Sequence, residues 1–218
     1  MELKDTFKQR GERAQLVGLL KKKGIEDPKV LAAIDKVPRH FFIPDNAFYH
    51  RAYEDTAFPI EAGQTISQPY TVAFQTQLLE VAPKDKILEI GTGSGYQAVV
   101  LSVMGAKVYS IERQKKLYDQ TKALLEKLPY RNIRTFYGDG FEGKEAYAPY
   151  DKILITAAAP ELPKKLMQQL KVGGYLVIPF GEGNTQTMMR FTKISEKEFE
   201  QEEFDKFRFV PMLKGKAW

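Results

Sequence analysis

The sequence predicts an α/β fold on a mostly parallel sheet, and three observations carry that expectation. From residue 84 onward, short continuous apolar runs alternate with stretches of helical periodicity, as expected of strands covered on both faces by crossover helices. The first run, Lys86-Ile87-Leu88-Glu89-Ile90, breaks directly into three closely spaced glycines before a helical pattern begins. No low-complexity linker or internal repeat interrupts the 218 residues. They are expected to form one domain, with N-terminal helices and a substrate-site segment over 1–80 and a Rossmann-like core over 84–218.

Apolar positions Phe7, Ala14, Val17 and Leu20 recur at helical spacing over 6–22, ahead of Gly24. Asp27-Pro28 reads as an N-cap with proline in the first turn, opening a second helix through Val30, Leu31, Ile34 and Val37 that Pro38 stops. Residues 38–68 are rich in aromatics and prolines and show little periodicity; their aromatic content argues that they pack down. A third helix covers 69–79 and ends before Pro83. Strand 86–90 then precedes helix 96–104, closed by Gly105, and strand 107–111 precedes helix 114–128. Strand 133–137 leads into the Gly138-Asp139-Gly140 turn, strand 152–156 precedes helix 162–170, and strand 175–179 follows Gly173-Gly174. Beyond Gly183, segments 187–194 and 200–211 read as an antiparallel pair at one sheet edge.

Composition removes several function classes. Hydrophobic residues at 43% and charged residues at 28% suit a soluble domain, and no apolar run is long enough to span a membrane. The first residues lack a signal-peptide core, so cytoplasmic residence is expected. The absence of cysteine excludes disulfides, thiolate nucleophiles and cysteine zinc clusters. His40 and His50 are too few and too far apart for a histidine-rich metal site, and no metal is expected. The net charge of +5 comes from basic runs interspersed with acids, such as Lys115-Lys116 and Lys164-Lys165, which fit solvated helix faces. Neither nucleic acid nor membrane is expected as a partner, and a monomer is expected.

In open α/β sheets the ligand sits outside the carboxyl ends of the strands, so each strand end bears on chemistry. Gly91, Gly93 and Gly95 give G-x-G-x-G, and Tyr96 occupies the sixth position where a dinucleotide fingerprint needs glycine. The spacing is that of class I S-adenosyl-L-methionine-dependent methyltransferases, with Gly91, Thr92, Gly93, Ser94, Gly95 and the nearby Glu89 as cofactor contacts; a tight ligand-free βα turn is the alternative. Glu112 ends the second strand, where an acid can accept hydrogen bonds from both ribose hydroxyls, or can simply favour a helix N-terminus. Arg113 beside it is grouped with the cofactor contacts. Asp139-Gly140 ends the third strand, suited to the adenine edge or to ordinary turn chemistry. The fourth strand end, Ile155-Thr156-Ala157-Ala158-Ala159-Pro160, lacks the Asn/Asp-Pro-Pro-Tyr of amino-directed methyltransferases and leaves space beside the cofactor.

No candidate general base lies near a strand end. A carboxylate acceptor needs none: with a reference pKa of about 4 it is already ionised at neutral pH, and its attack on a sulfonium methyl needs alignment and desolvation. The site would then need a hydrogen-bond donor to hold the acid. Ser67, in Gly63-Gln64-Thr65-Ile66-Ser67-Gln68-Pro69, can supply one, although its spacing alone favours a helix N-cap.

The segment Gly63–Ala73 and the run Leu88–Ala98 closely resemble the protein-L-isoaspartate O-methyltransferase family. So do Val37-Pro38-Arg39-His40-Phe41-Phe42-Ile43-Pro44, residues 150–159 and 170–179, and the ending Arg208-Phe209-Val210-Pro211-Met212-Leu213. The resemblance spans nearly the whole chain, and Thr-Ile-Ser-Gln-Pro is its most specific part. It implies methyl transfer from S-adenosyl-L-methionine to the free α-carboxyl of L-isoaspartyl residues in damaged proteins and peptides, leaving S-adenosyl-L-homocysteine. The ester then closes to a succinimide and hydrolyses partly to aspartate, which is repair. The resemblance maps the catalytic serine onto Ser67 and places Thr65, Ile66 and the glycine turn at the cofactor. Glu112 falls on the ribose and Asp139-Gly140 by the adenine, while Ser67, Gln68, Val210, Pro211 and Leu213 line the substrate cleft. The fold alone would also admit a small-molecule or RNA methyltransferase, or a cofactor-binding protein without turnover.

Overall fold

The computed structural model describes residues 4–218. Helix α1 (Phe7–Lys22) starts in a capping box, Thr6 accepting from Gln9 N while the Gln9 side chain returns to the Thr6 backbone. Its inward stripe keeps Leu20 and Val17 of the expected positions but not Phe7 or Ala14. Phe7 is 89% exposed, and the helix buries Arg13, Leu16 and Leu20. Arg13 sets this face: its guanidinium bonds Asp5 and Tyr53 Oη, so the helix is rotated to bring an arginine inside. Helix α2 (Pro28–Lys36) is capped as expected, Asp27 Oδ1 accepting from Lys29 N at 2.8 Å.

The irregular segment does pack down. It folds as a 3-10 turn (Arg39–Phe42), helix α3 (Asn46–Tyr49), and a two-residue antiparallel pair of β1 (Phe58–Pro59) and β2 (Thr65–Ile66). Helix α4 (Pro69–Leu79) follows. Arg39 and His40 are fully buried. His40 Nδ1 lies 2.6 Å from Tyr53 Oη and Nε2 lies 3.2 Å from Lys4 O, so the ring donates to the carbonyl through Nε2 and accepts the phenol proton at Nδ1.

The core alternates β3 (Lys86–Ile90), α5 (Tyr96–Val103), β4 (Lys107–Glu112), α6 (Lys115–Lys127), β5 (Ile133–Tyr137), β6 (Tyr150–Ile155), α7 (Lys164–Gln169) and β7 (Leu170–Phe180). Strands β8 (Gln186–Lys193) and β9 (Phe199–Phe207) complete a sheet of order β5-β4-β3-β6-β7-β8-β9. Pairing is parallel from β5 to β7 and antiparallel beyond. Ile87 packs with Ala98, Leu101 and Val108 on one face, and Leu88 and Ile90 with Ile153, Ile155 and Leu166 on the other. The order reverses between β3 and β6, which opens a crevice at their carboxyl ends.

Two strand expectations are corrected. Strand β7 runs through Gly173-Gly174 rather than starting after them, because an irregularity against β6 brings the backbones close; a Cβ on Gly174 would lie 2.6 Å from Asp151 O. Strand β9 stops at Phe207, and residues 210–212 leave the edge to bridge to Ala158, with Ala158 N donating to Val210 O at 2.8 Å and Met212 N to Ala158 O at 2.7 Å. Glu200, Glu202, Glu203 and Asp205 populate the free edge of β9, which discourages further strand pairing.

Candidate active site

The glycine turn after β3 folds against its neighbours through backbone. Gly91 N and Thr92 N both donate to Ile111 O, at 2.9 and 3.2 Å, and Thr156 Oγ1 donates to Ile90 O and Gly91 O, each at 2.9 Å. Gly91 has φ +95°, and a Cβ there would lie 2.5 Å from Thr156 Oγ1, so this position requires glycine on two counts. A Cβ on Gly93 would meet only Ile60 Cδ1, at 3.8 Å; there the backbone faces open space. Glu112 is buried at the end of β4 and ties to the same turn, Oε2 accepting from Gly93 N and Oε1 from Gln114 N, both at 2.9 Å. An ionised carboxylate bonded in this way keeps lone pairs for a ligand.

These groups wall a cavity in the crevice. A second cleft adjoins it, bounded by Thr56, Thr71 and residues 205–210, and Thr65, Ser67, Thr156 and Val210 line both. Ser67 therefore stands at the junction. It is not a helix cap: the N-cap of α4 is Gln68, which makes no side-chain cap bond. The helix terminus is satisfied by Asp55 instead, whose Oδ1 accepts from Tyr70 N at 2.8 Å.

Of the residues expected at the cofactor or substrate, all but four line the first cavity. Glu89 is fully buried behind the turn, where Ser110 donates to it. Gly95 is the left-handed start of α5, and its missing Cβ makes room for Thr121 of α6, 2.9 Å away, rather than for a ligand. Gln68 lines only the second cleft and binds Asp55. Asp139 directs its oxygens to Phe141 N at 2.8 Å and Gly215 N at 2.6 Å, leaving Gly140 in the wall. Val210, Pro211 and Leu213 line the cavity as an extended crossing segment, not as part of a strand.

Sequence reasoning missed two parts of the site. Asp55 clamps the Ser67 turn and also takes Lys23 Nζ at 2.6 Å, although nothing around it in sequence signals this. The C-terminal tail crosses the strand ends: Arg113 Nε donates to Gly215 O at 3.1 Å, Ala217 N to Arg113 O at 2.8 Å, and Tyr137 Oη to Ala217 O at 3.1 Å. Below the cavity, Arg39 stacks on Tyr96 with its guanidinium carbon 5.1 Å from the ring centroid, and burial pushes its pKa down to about 10. Burial likewise pushes Tyr96 up to about 12. Among the described residues no group of metal-ligating side chains is present and no helix is long and apolar enough to cross a membrane.

Open glycine backbone, an anchored carboxylate and a floor of Thr156 and Ala157 fit an adenosine-bearing methyl donor. Comparison with known proteins agrees. A family model described as protein-L-isoaspartate(D-aspartate) O-methyltransferase matches residues 11–217. A protein-L-isoaspartate O-methyltransferase of Christiangramia forsetii is 58% identical over 214 residues, 98% of this chain and all of that one. The corresponding protein of Salinibacter ruber is 51% identical, covering 96% of this chain and 94% of its own. A solved protein-L-isoaspartate O-methyltransferase superposes with a TM-score of 0.84 at 28% identity, over 94% of this chain and 67% of that one. A candidate enzyme of the same kind from Plasmodium falciparum, solved with S-adenosyl-L-homocysteine, gives 0.81 at 26% identity, over 93% of this chain and 99% of that one.

Proposed function

The chain belongs to the protein-L-isoaspartate(D-aspartate) O-methyltransferase family, and on that premise we propose how its residues carry out the family's reaction. The enzyme methylates the free α-carboxyl of L-isoaspartyl residues in damaged proteins and peptides, which initiates their repair through a succinimide. Bound S-adenosyl-L-methionine supplies an electrophilic methyl group on a sulfonium sulfur.

The open backbone of Gly91–Ser94 would hold the donor, with Glu112 accepting from its ribose hydroxyls and Gly140 leaving room beside the base. Thr65, Ile66 and Arg113 would complete this wall. The acceptor would enter by the second cleft, along Gln68 and Val210, and meet Pro211 and Leu213 in the wall of the first cavity. Ser67 would donate its hydroxyl to the substrate carboxylate and hold one oxygen toward the methyl group. The other residues at the junction, Thr65, Thr156 and Val210, are neutral, so nothing there takes a proton. None has to be taken, because the attacking group is an anion at neutral pH. Alignment and exclusion of water are the chain's contribution.

The observation that supports this assignment is the placement of Ser67 in the wall common to both cavities, without a capping role. An isoaspartyl peptide incubated with labelled S-adenosyl-L-methionine should give a base-labile methyl ester. Incorporation no greater than with the matching aspartyl peptide would refute the assignment.

A further inference from the structure

Glu89 is the acid that the site residues leave unexplained. Its carboxyl is fully buried, Oε1 has no partner, and Oε2 takes the Ser110 hydroxyl. Ser110 Oγ lies 2.7 Å from Thr92 Oγ1, and Thr92 lines the cavity. Two hydroxyls thus connect a buried acid to the cavity wall. Each hydroxyl can donate in either direction, so a proton on Glu89 can pass to Ser110, from Ser110 to Thr92, and from Thr92 to solvent in the cavity.

Few charges act on this acid. Its register partners are Ser110 on β4 and Leu154 on β6. Helices α4 and α5, which cover this face of the sheet, carry no charged side chain, and their titratable groups are Tyr70 and Tyr96. Asp151 and Lys152 sit toward the opposite end of β6. Glu112, two residues beyond Ser110 on β4 and in the cavity wall, is the charge that adds to burial in opposing its ionisation. Among the described residues no cation pairs with it, yet the ligand expected beyond Thr92 is itself a cation.

We propose that Glu89 is a positioning residue that senses charge: it gives up its proton along Ser110 and Thr92 when a sulfonium donor occupies the cavity and regains it when the neutral thioether product remains, so that the site prefers donor over product. The inference rests on the cavity taking S-adenosyl-L-methionine. Burial and the neighbouring Glu112 hold the Glu89 pKa up at about 8, so the free enzyme carries this proton at neutral pH. Reciprocal coupling then requires donor binding to release a fraction of a proton and to tighten as pH rises through that value. Product binding, which brings no positive sulfur, should be nearly indifferent.

The test is titration calorimetry of the full chain with S-adenosyl-L-methionine and with S-adenosyl-L-homocysteine, at pH 7 to 9 in phosphate and in Tris. The donor's own α-amino group titrates at about pH 7.7–8.0. The informative quantity is therefore the difference between the wild-type chain and Glu89→Gln, in which ligand titration is unchanged. The wild-type preference for donor over product should grow by about tenfold across this range, with a donor enthalpy more buffer-dependent than in Glu89→Gln, and the variant should lose both the growth and this excess. An identical pH slope in Glu89→Gln, or a donor enthalpy with the same buffer dependence in both proteins, would overturn the proposal. No acceptor peptide is present, so failure of isoaspartyl turnover leaves this outcome separately readable.

Discussion

Gln68 is fastened to Asp55 twice: its Nε2 donates to the Asp55 carbonyl at 3.0 Å and to the Asp55 carboxylate at 3.1 Å. The same carboxylate caps α4 through Tyr70 N and binds Lys23. Ser67 lies one residue before Gln68, so one acid sets both the helix start and the turn that carries the serine. Arg39 steadies the next link, its Nη2 donating to Thr56 O at 3.2 Å.

Replacing Asp55 by alanine removes a helix cap and a turn clamp together. Stability should fall by about 1–2 kcal/mol, the usual loss for a cap. Turnover should fall more than product affinity, because the turn belongs to the acceptor side. Asp55→Asn keeps a capping oxygen and should recover most of the stability. Urea unfolding alongside kcat and S-adenosyl-L-homocysteine affinity separates these effects; equal losses in both functional readouts would contradict the arrangement.

Ser67→Ala should behave differently. The hydroxyl makes no structural bond among the described residues, so thermal stability and product affinity should stay close to wild type. If the hydroxyl holds an ionised carboxylate, kcat should drop about 10- to 100-fold, as for a hydrogen bond to a charged group. Steady-state kinetics with an isoaspartyl peptide measures it. A destabilised variant with weakened product binding would return Ser67 to a capping role.

The tail makes a third case. Gly215 and Ala217 are held by Asp139, Arg113, Lys115 and Tyr137 across the strand ends beside the cavity. Deleting residues 215–218 should release S-adenosyl-L-homocysteine about tenfold faster, given several lost hydrogen bonds of ordinary strength, while the sheet core keeps its melting temperature. Stopped-flow displacement would show this, and an unchanged release rate would mean the tail does not restrain the ligand.

What could be foreseen in this chain divides by the range of its causes. The glycine turn, the cap at Asp27 and the buried strands β3, β4 and β6 follow from residues adjacent in sequence, and they lie where the pattern put them. The α1 stripe departs from its pattern at Phe7 and Ala14 because Arg13 turns inward to meet Tyr53, forty residues away. Asp55 was invisible for the same reason, since its partners come from α1 and α4. Asp139, expected beside the adenine, also holds the tail, a patternless segment whose return to it no local pattern announces. Glu89, expected among the cofactor contacts, lies fully buried behind the turn and outside the cavity lining, because strand alternation gives the face but not the depth.

Glu89 also predicts how stability should respond to pH. Its ordinary value is 4.5, and in the folded chain burial raises it to about 8. Between those values the unfolded chain loses this proton while the folded chain keeps it. The Glu89 contribution is therefore fully present below about pH 4.5 and is lost as pH rises toward 8, at up to about 1.4 kcal/mol per pH unit. Glu89→Gln removes the titration and keeps a group that can bond Ser110. Relative to wild type, the variant should gain stability steadily from pH 5 to pH 8, reaching a few kcal/mol, and level off above. Calorimetric or urea unfolding of both proteins across that range decides it. His40 works in the opposite sense and in a different window: burial lowers its pKa, so its contribution is intact above the ordinary value of 6.5 and is lost on acidification. A stability difference between wild type and Glu89→Gln that stays constant with pH would mean the carboxyl is ionised in the fold, and with it the releasable proton behind Thr92 would disappear.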